Sequence, residues 1–230
     1  IIGVQTPANL KYFNENVVYR TGHIEVLQNW LAVNKSKTCH IIIGKTKLKG
    51  RKIFVYAGNM GVAQGLSVFI DLADSLSTQK SIGFLFVGRG NAVVSLRQAV
   101  KARGLDNILI YDEIEPQEID ALYQQCDVGI ISLDNRHKTH NIPGKFLSYM
   151  QSGLPVLAAI NSGNDLEHII NSNKVGCVST NHSVDVLNKL LEEIVENVLS
   201  DDGTKNRCLQ LYKDMFSPKK AVGQIINGLV

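Results

Sequence analysis

The chain has 230 residues, of which 44% are apolar and 20% charged, with a formal net charge of +3 and a pI near 8.6. That is globular composition, and it excludes disordered, collagen-like and coiled-coil classes. No run of five or six like charges occurs, so nucleic acid is not expected as a partner.

In chain order, Ile1–Val4 reads as a strand, Pro7–Asn16 as a helix and Ile24–Leu27 as a second short strand. Residues 1–34 stand outside the rhythm that follows and read as the tail of a preceding domain. Residues 35–50 are rich in Lys and polar residues, with one apolar run at Ile41–Ile43, and read as an inter-domain connection.

From Ile53 short apolar runs alternate with amphipathic stretches, which predicts consecutive βα units. Strands are expected at Ile53–Ala57, Ile82–Val87, Ile108–Tyr111, Val128–Ile131, Leu154–Ala158 and Gly176–Thr180. Their near-continuous apolar character suits a parallel sheet covered on both faces. Helices are expected at Leu66–Leu76, Val93–Ala102, Ile119–Gln125, Phe146–Met150 and Val184–Leu199, with Pro116 and Glu118 marking a start and Gly104 and Gly153 marking stops. Right-handed crossovers then give an α/β fold with a doubly wound, Rossmann-like parallel sheet over residues 51–200. Residues 201–230 hold two further helical patterns, Asn206–Phe216 and Pro218–Leu229.

Four cysteines, Cys39, Cys126, Cys177 and Cys208, lie far apart without CxxC spacing, which fits reduced thiols in a cytoplasmic protein. The first residue is not methionine, and neither a signal-peptide pattern nor an apolar run of 18 residues occurs; a piece of a longer soluble protein is expected.

Ligands of open parallel sheets bind beyond the carboxyl ends of the strands, so three loops draw attention. The turn Gly58-Asn59-Met60-Gly61-Val62-Ala63-Gln64-Gly65 offers backbone N–H groups to an anion or serves as a plain tight turn. In Gly88-Arg89-Gly90 the third glycine of a dinucleotide fingerprint is absent, Val93 standing in its place, and no acidic residue closes a second strand where a dehydrogenase needs one. Arg89 either faces a diphosphate or is a solvated loop cation. The third loop, 132–142, carries Asp134, Arg136, His137, Lys138 and His140 into Pro143-Gly144-Lys145, a helix start marked by proline in the first turn. Lys145 and Ser148, three apart, share a helix face and direct a cation and a hydroxyl into one cleft, unless they are a solvated lysine and a packed serine. His137, His140 and Asp134 have no fixed geometry and no fourth ligand, so no metal is expected. No hydrolase elbow, zinc-protease helix or Walker loop is present.

The ordered segments Phe54-Val-Tyr-Ala-Gly-Asn-Met-Gly-Val-Ala-Gln-Gly-Leu66, Phe84-Leu-Phe-Val-Gly-Arg-Gly90, Leu122-Tyr-Gln-Gln-Cys-Asp-Val128 and Pro143-Gly-Lys-Phe-Leu-Ser-Tyr-Met-Gln-Ser-Gly-Leu-Pro-Val156 resemble bacterial family-4 glycosyltransferases of the GT-B fold. Ile24-Glu-Val-Leu-Gln-Asn-Trp30 is similar to that family's inter-domain lead-in. The resemblance implies the C-terminal, donor-binding half of a retaining enzyme that takes a nucleotide-sugar, with most of the acceptor-binding half absent and residues 201–230 packing back toward it. It implies donor contacts at Gly58, Asn59, Gly61, Gln64, Gly88, Arg89, Ile114, Pro143, Gly144, Lys145 and Ser148, no cofactor beyond the donor, and a lipid-linked saccharide acceptor. Surface-polysaccharide or O-antigen assembly with a UDP-linked, N-acetylated sugar, on the cytoplasmic face of the bacterial inner membrane, is the implied setting.

The chain departs from that pattern. The family's glutamate pair falls on His140 and Ser148, which leaves His140 as the candidate catalytic residue, and Asn59 and Gln64 replace a common Arg and Lys. Lys145, Arg89 and helix-terminal amides are expected to compensate. An epimerase of the same fold and a catalytically silent nucleotide-sugar-binding module are the alternative readings.

Overall fold

The computed structural model describes residues 2–16, 22–32, 38–136 and 141–228. His137, Lys138 and His140 lie outside them. The main body is a six-stranded, wholly parallel sheet built from β3 (Lys52–Ala57), β4 (Ile82–Val87), β5 (Ile108–Tyr111), β6 (Val128–Ser132), β7 (Val156–Ala159) and β8 (Gly176–Ser179), in the order β5-β4-β3-β6-β7-β8. The order reverses between β3 and β6, as expected for a doubly wound sheet.

Strand periodicity divides the core. Phe54, Tyr56, Phe84 and Phe86 point to one face, covered by α2 (Ser67–Ser75), α3 (Val93–Ala102) and α7 (Val184–Glu193). Val55, Ala57, Leu85 and Val87 point to the other, under α4 (Ile119–Tyr123), α5 (Gly144–Ser152) and α6 (Asp165–Asn173). Each fully buried Phe or Leu contributes about 1.5–3 kcal/mol through removal of its surface from water.

At the switch point β3 and β6 share only the pairs Phe54–Val128 and Val55–Gly129 before they part. Tyr149 of α5 enters the opening, its hydroxyl within reach of the carbonyls of Val55 (3.0 Å) and Ile130 (3.3 Å). Gly129 gives its ring room, since a Cβ there would stand 2.5 Å from it. This wedge fixes the start of α5 over the gap.

Element boundaries follow the sequence closely, with physical reasons where they differ. Helix α6 was not expected: it follows the polar run Asn161-Ser-Gly-Asn164, where the Asn164 side chain caps the helix at the Leu166 N–H (3.0 Å), and Leu166, Ile169 and Ile170 turn into the core. Strand β7 begins at Val156, after Pro155, which has no N–H to donate. The long pattern ending at Leu199 is α7 followed by a π turn at Ile194–Val198, and the next splits into α8 (Thr204–Leu211) and a π turn at Tyr212–Phe216.

The flanking segments pack on this body. Ile41, Ile43 and Leu48 enter the core on the α5 side, and Gln125 brackets the backbone there by hydrogen bonds to the Ile41 carbonyl and the Ile43 N–H, both 3.0 Å. Cys208, Leu211, Tyr212 and Phe216 join the same core. Near the N-terminus, β1 (Ile2–Val4) and β2 (Ile24–Val26) form a small parallel sheet beside α1 (Pro7–Asn16), whose first turn is held by Asp165, which accepts the Ala8 N–H at 3.0 Å. Helix α9 (Pro218–Asn227) reaches β2 through a hydrogen bond from Gln224 to the Val26 carbonyl (2.7 Å). All four cysteines are free thiols. Among the described residues no helix is long and apolar enough to cross a membrane.

Candidate functional site

The carboxyl ends of β3 and β4 carry two glycine loops pressed together. A Cβ on Gly88 would stand 1.9 Å from the Gly58 carbonyl oxygen, and one on Gly90 would stand 2.4 Å from that of Met60. Both glycines have positive φ, 151° and 145°, which side chains of L-residues rarely adopt. The loops are joined by backbone hydrogen bonds, Gly58 N–H to Val87 (2.9 Å), Met60 N–H to Arg89 (2.7 Å) and Ala92 N–H to Met60 (2.9 Å).

The sequence suggested that the Gly58–Gly61 amides are free for an anion, and here the structure differs. Besides the bonds just given, the Gly61 N–H donates to Gln64 Oε1 (2.9 Å) and the Val62 N–H to Asn91 Oδ1 (3.2 Å). Gln64 Oε1 also accepts from the Asn59 amide (3.1 Å), so the two residues standing in place of basic ones lock the turn. Among the described residues the Asn59 N–H alone remains unengaged from Gly58 to Val62.

Lys145 lies opposite. Its half-buried side chain runs from the first turn of α5 to the Gly58 turn, where a Cβ on Gly58 would be 4.0 Å from Nζ. The ammonium sits 4.5 Å from the Tyr56 ring centre. Burial pushes its pKa down to about 8, since desolvation penalises the charged form. Burial likewise holds the Tyr56 phenol above its ordinary range, and its hydroxyl donates to the Asn59 carbonyl. At the start of α5 the Gly144 and Lys145 N–H groups have no hydrogen-bond partner among the described residues, and these first-turn amides carry the positive end of the helix dipole. Pro143 sets the entry to this turn with φ −63°.

On the other side of the Gly58 and Gly88 turns, Gly58, Asn59, Gly88, Arg89, Glu113 and Ile114, with Pro116 and Ile119, enclose a cavity of about 350 Å³. Arg89 is exposed and pairs with Glu113 across its rim, Nε to Oε2 3.1 Å. Val62, Ala63, Asp134 and Arg136 line a second hollow of about 430 Å³. There the Asp134 carboxylate is gripped by the Arg136 fork at 2.9 and 2.7 Å. Ser148 is half-buried one turn along α5 from Lys145, with its hydroxyl 3.4 Å from the Gly144 carbonyl.

The structure sets Gly58, Asn59, Gly88, Arg89 and Ile114 around one cavity, Gly61 and Gln64 in the adjoining turn, and Pro143, Gly144 and Lys145 at the start of α5 with Lys145 reaching Gly58; Ser148 lies one turn further along that helix, and His140 lies outside the described residues. Sequence reasoning missed Tyr56, Glu113 and Asn91. Tyr56 left one signal, a tyrosine at the last turn of a strand otherwise apolar; the other two are polar loop residues with no spacing that marks them.

A doubly wound α/β sheet with paired glycine loops and a lysine at its switch point defines a Rossmann-like body. The chain belongs to the group 1 glycosyl transferases, whose family model matches residues 41–208. WbjE of Pseudomonas aeruginosa, assigned as a glycosyltransferase, is 25% identical over 174 residues, covering 75% of this chain and 43% of that protein. WcaI of Escherichia coli (strain K12), assigned as a colanic acid biosynthesis glycosyl transferase, is 28% identical over 103 residues, covering 45% of this chain and 25% of that protein. The chain thus spans less than half the length of either relative. Among solved structures, Anabaena Alr3699/HepE in complex with UDP-glucose superposes with a TM-score of 0.79 at 16% identity over 100% of this chain and 63% of that one. A mutant of S. aureus TarM in complex with UDP gives 0.73 at 15%, over 98% and 43%. These establish the fold as a Rossmann-like half of the GT-B type.

Proposed function

We propose that this chain is the donor-binding half of a retaining glycosyltransferase that moves a sugar from a UDP-linked, N-acetylated donor to a lipid-linked saccharide in surface-polysaccharide assembly. The observation that carries the reading is the Lys145 ammonium reaching the Gly58 turn from a helix whose first-turn amides are unengaged among the described residues, beside a cavity of about 350 Å³. The cavity takes base and ribose between Ile114 and the glycine turns. The diphosphate then lies across the switch point, where a lysine and aligned amides stabilise the charge that grows on the leaving group. Arg89 leaves Glu113 to meet the same charge.

Support for a UDP donor is that HepE is solved with UDP-glucose and TarM with UDP, and support for polysaccharide assembly is the colanic acid assignment of WcaI. In this reading residues 1–34 are the remnant of an acceptor-binding half, 35–50 the connection to the donor-binding body at 51–200, and 201–230 the helices that pack back toward the acceptor side. The acceptor half brings the protein to the cytoplasmic face of the inner membrane. The donor is the substrate and no further cofactor is used.

Calorimetric titration with UDP, GDP, TDP and CMP sugars tests this. Tightest binding of a UDP-sugar, with turnover once the full-length protein is given a lipid-linked saccharide, is the expected result. Binding by none of the four overturns the donor assignment, and tight binding without turnover establishes a silent nucleotide-sugar module, a role in keeping with serine at position 148.

A further inference from the structure

We propose that Cys39, His40 and Glu118 form a three-residue site for a divalent ion of the Zn²⁺ class, with the remaining position left to water. The thiol sulfur, imidazole nitrogen and carboxylate oxygen of these residues lie within 4.8 Å of one another. Tetrahedral Zn²⁺ with bonds of about 2.0–2.3 Å needs donor separations of about 3.3–3.8 Å, so small side-chain rotations bring the three to an ion. His40 Nδ1 is already 2.9 Å from Glu118 Oε1.

The donor set is chemically selective. Thiolate with imidazole and a carboxylate suits Zn²⁺ rather than Mg²⁺ or Ca²⁺, which prefer oxygen alone. When Cys39 gives up its proton to solvent, thiolate and carboxylate together neutralise the ion. Hydrogen bonds account for two of the three residues, because Glu118 Oε1 accepts both the backbone N–H (2.8 Å) and the ring nitrogen of His40. Burial raises the pKa of the Cys39 thiol, opposed by the Ile41 N–H and reinforced by the Glu118 carboxylate, so an ion that binds has to displace the thiol proton. Cys39 is half-buried and His40 exposed, which leaves the ion a path from solvent.

The location gives the site a consequence. Glu118 closes the 3₁₀ turn Pro116–Glu118, and Pro116 and Ile119 form one wall of the cavity beside Ile114. An ion held by Cys39, His40 and Glu118 clips that wall to the segment entering the sheet, whichever nucleotide the cavity accepts.

Titration of the reduced chain with Co²⁺, followed by absorption, tests the proposal. Expected are a thiolate-to-cobalt charge-transfer band that saturates at one equivalent, its loss in Cys39→Ser, and affinity lowered by at least roughly tenfold in His40→Ala and Glu118→Gln. Zn²⁺ should raise the melting temperature of the native chain and not that of Cys39→Ser, since binding to the folded state stabilises by mass action. His40 is exposed, so His40→Ala keeps the fold and serves if Cys39→Ser does not. Absence of the band at saturating Co²⁺, or its persistence in Cys39→Ser, overturns the site.

Discussion

The Lys145 ammonium stands 4.5 Å from the centre of the Tyr56 ring, with burial holding its pKa near 8. A cation over a ring face is attracted to it, but here the ring replaces water without supplying an acceptor. The charge is thus kept under-solvated beside the Gly58 turn. A diphosphate that arrives there supplies what the apo site withholds.

Lys145→Met is therefore expected to weaken UDP binding by about 1–3 kcal/mol, the range for hydrogen bonds to charged groups, and to leave uridine binding unchanged. Removing an under-solvated charge should not lower the melting temperature of the apo chain. Calorimetry with both ligands, together with thermal melts, checks this. Equal losses for UDP and uridine would place Lys145 away from the phosphates.

The same pKa sets a pH dependence. Below about 8 the free ammonium is protonated, and a bound diphosphate opposes the effect of burial by raising its pKa. Protons are then taken up on binding above about pH 8, so affinity for UDP should be level below that value and fall as pH rises through it, by up to about tenfold per unit. Lys145→Met should flatten the profile. A native profile that stays level to about pH 10 would remove the lysine from the diphosphate site.

Gly88→Ala tests the seam between the loops. Its φ of 151° disfavours any side chain, and the new Cβ would meet the Gly58 carbonyl oxygen at 1.9 Å. Strain and forced separation are expected to cost about 2–4 kcal/mol of stability and to abolish nucleotide binding. At Gly144 a Cβ meets nothing within 4 Å and φ is not positive, so Gly144→Ala should keep stability within about 0.5 kcal/mol or raise it. Denaturant titration separates the two; equal behaviour would mean the loops yield where the structure shows them fixed.

Sheet and crossover helices were legible because buried parallel strands are written as uninterrupted apolar runs, Ile82-Gly83-Phe84-Leu85-Phe86-Val87 being the plainest, with Gly104 and Gly153 placed at positive φ of 62° and 74° where helices stop. Helix α6 was missed although Leu166, Ile169 and Ile170 stand at helical spacing behind the Asn164 cap, because so short an apolar stripe follows a polar run. That Lys145 and the glycine loops come together at the carboxyl end of the sheet could be read from type and position. That the turn amides are consumed by Gln64 and Asn91 could not, since a side chain closing a turn three residues back and another arriving from 29 residues away leave no periodic trace. The thiol beside His40 and Glu118 is equally silent, because His40 and Glu118 stand 78 positions apart and the chain folds through three strands before the two meet.

Ser148 stands where the resembled family carries a glutamate, one turn beyond Lys145, half-buried and with its hydroxyl 3.4 Å from the Gly144 carbonyl on its own helix. A hydroxyl already directed to its helix backbone has little to offer a ribose, whereas a carboxylate there accepts from both ribose hydroxyls. It also gains a cation three residues back on the same face, a pairing worth about 0.2–0.5 kcal/mol on a helix. Ser148→Glu is expected to fold normally and to tighten binding of both uridine and UDP, by about 1–2 kcal/mol for charge-assisted hydrogen bonds. It should leave 2′,3′-dideoxyuridine unaffected, because that ligand has no hydroxyls to donate. Calorimetry with the three ligands decides the matter. Tighter binding of the dideoxy compound would trace the gain to general electrostatics, and loss of the fold would show that Ser148 is packed against α5's neighbours and does not face the cleft.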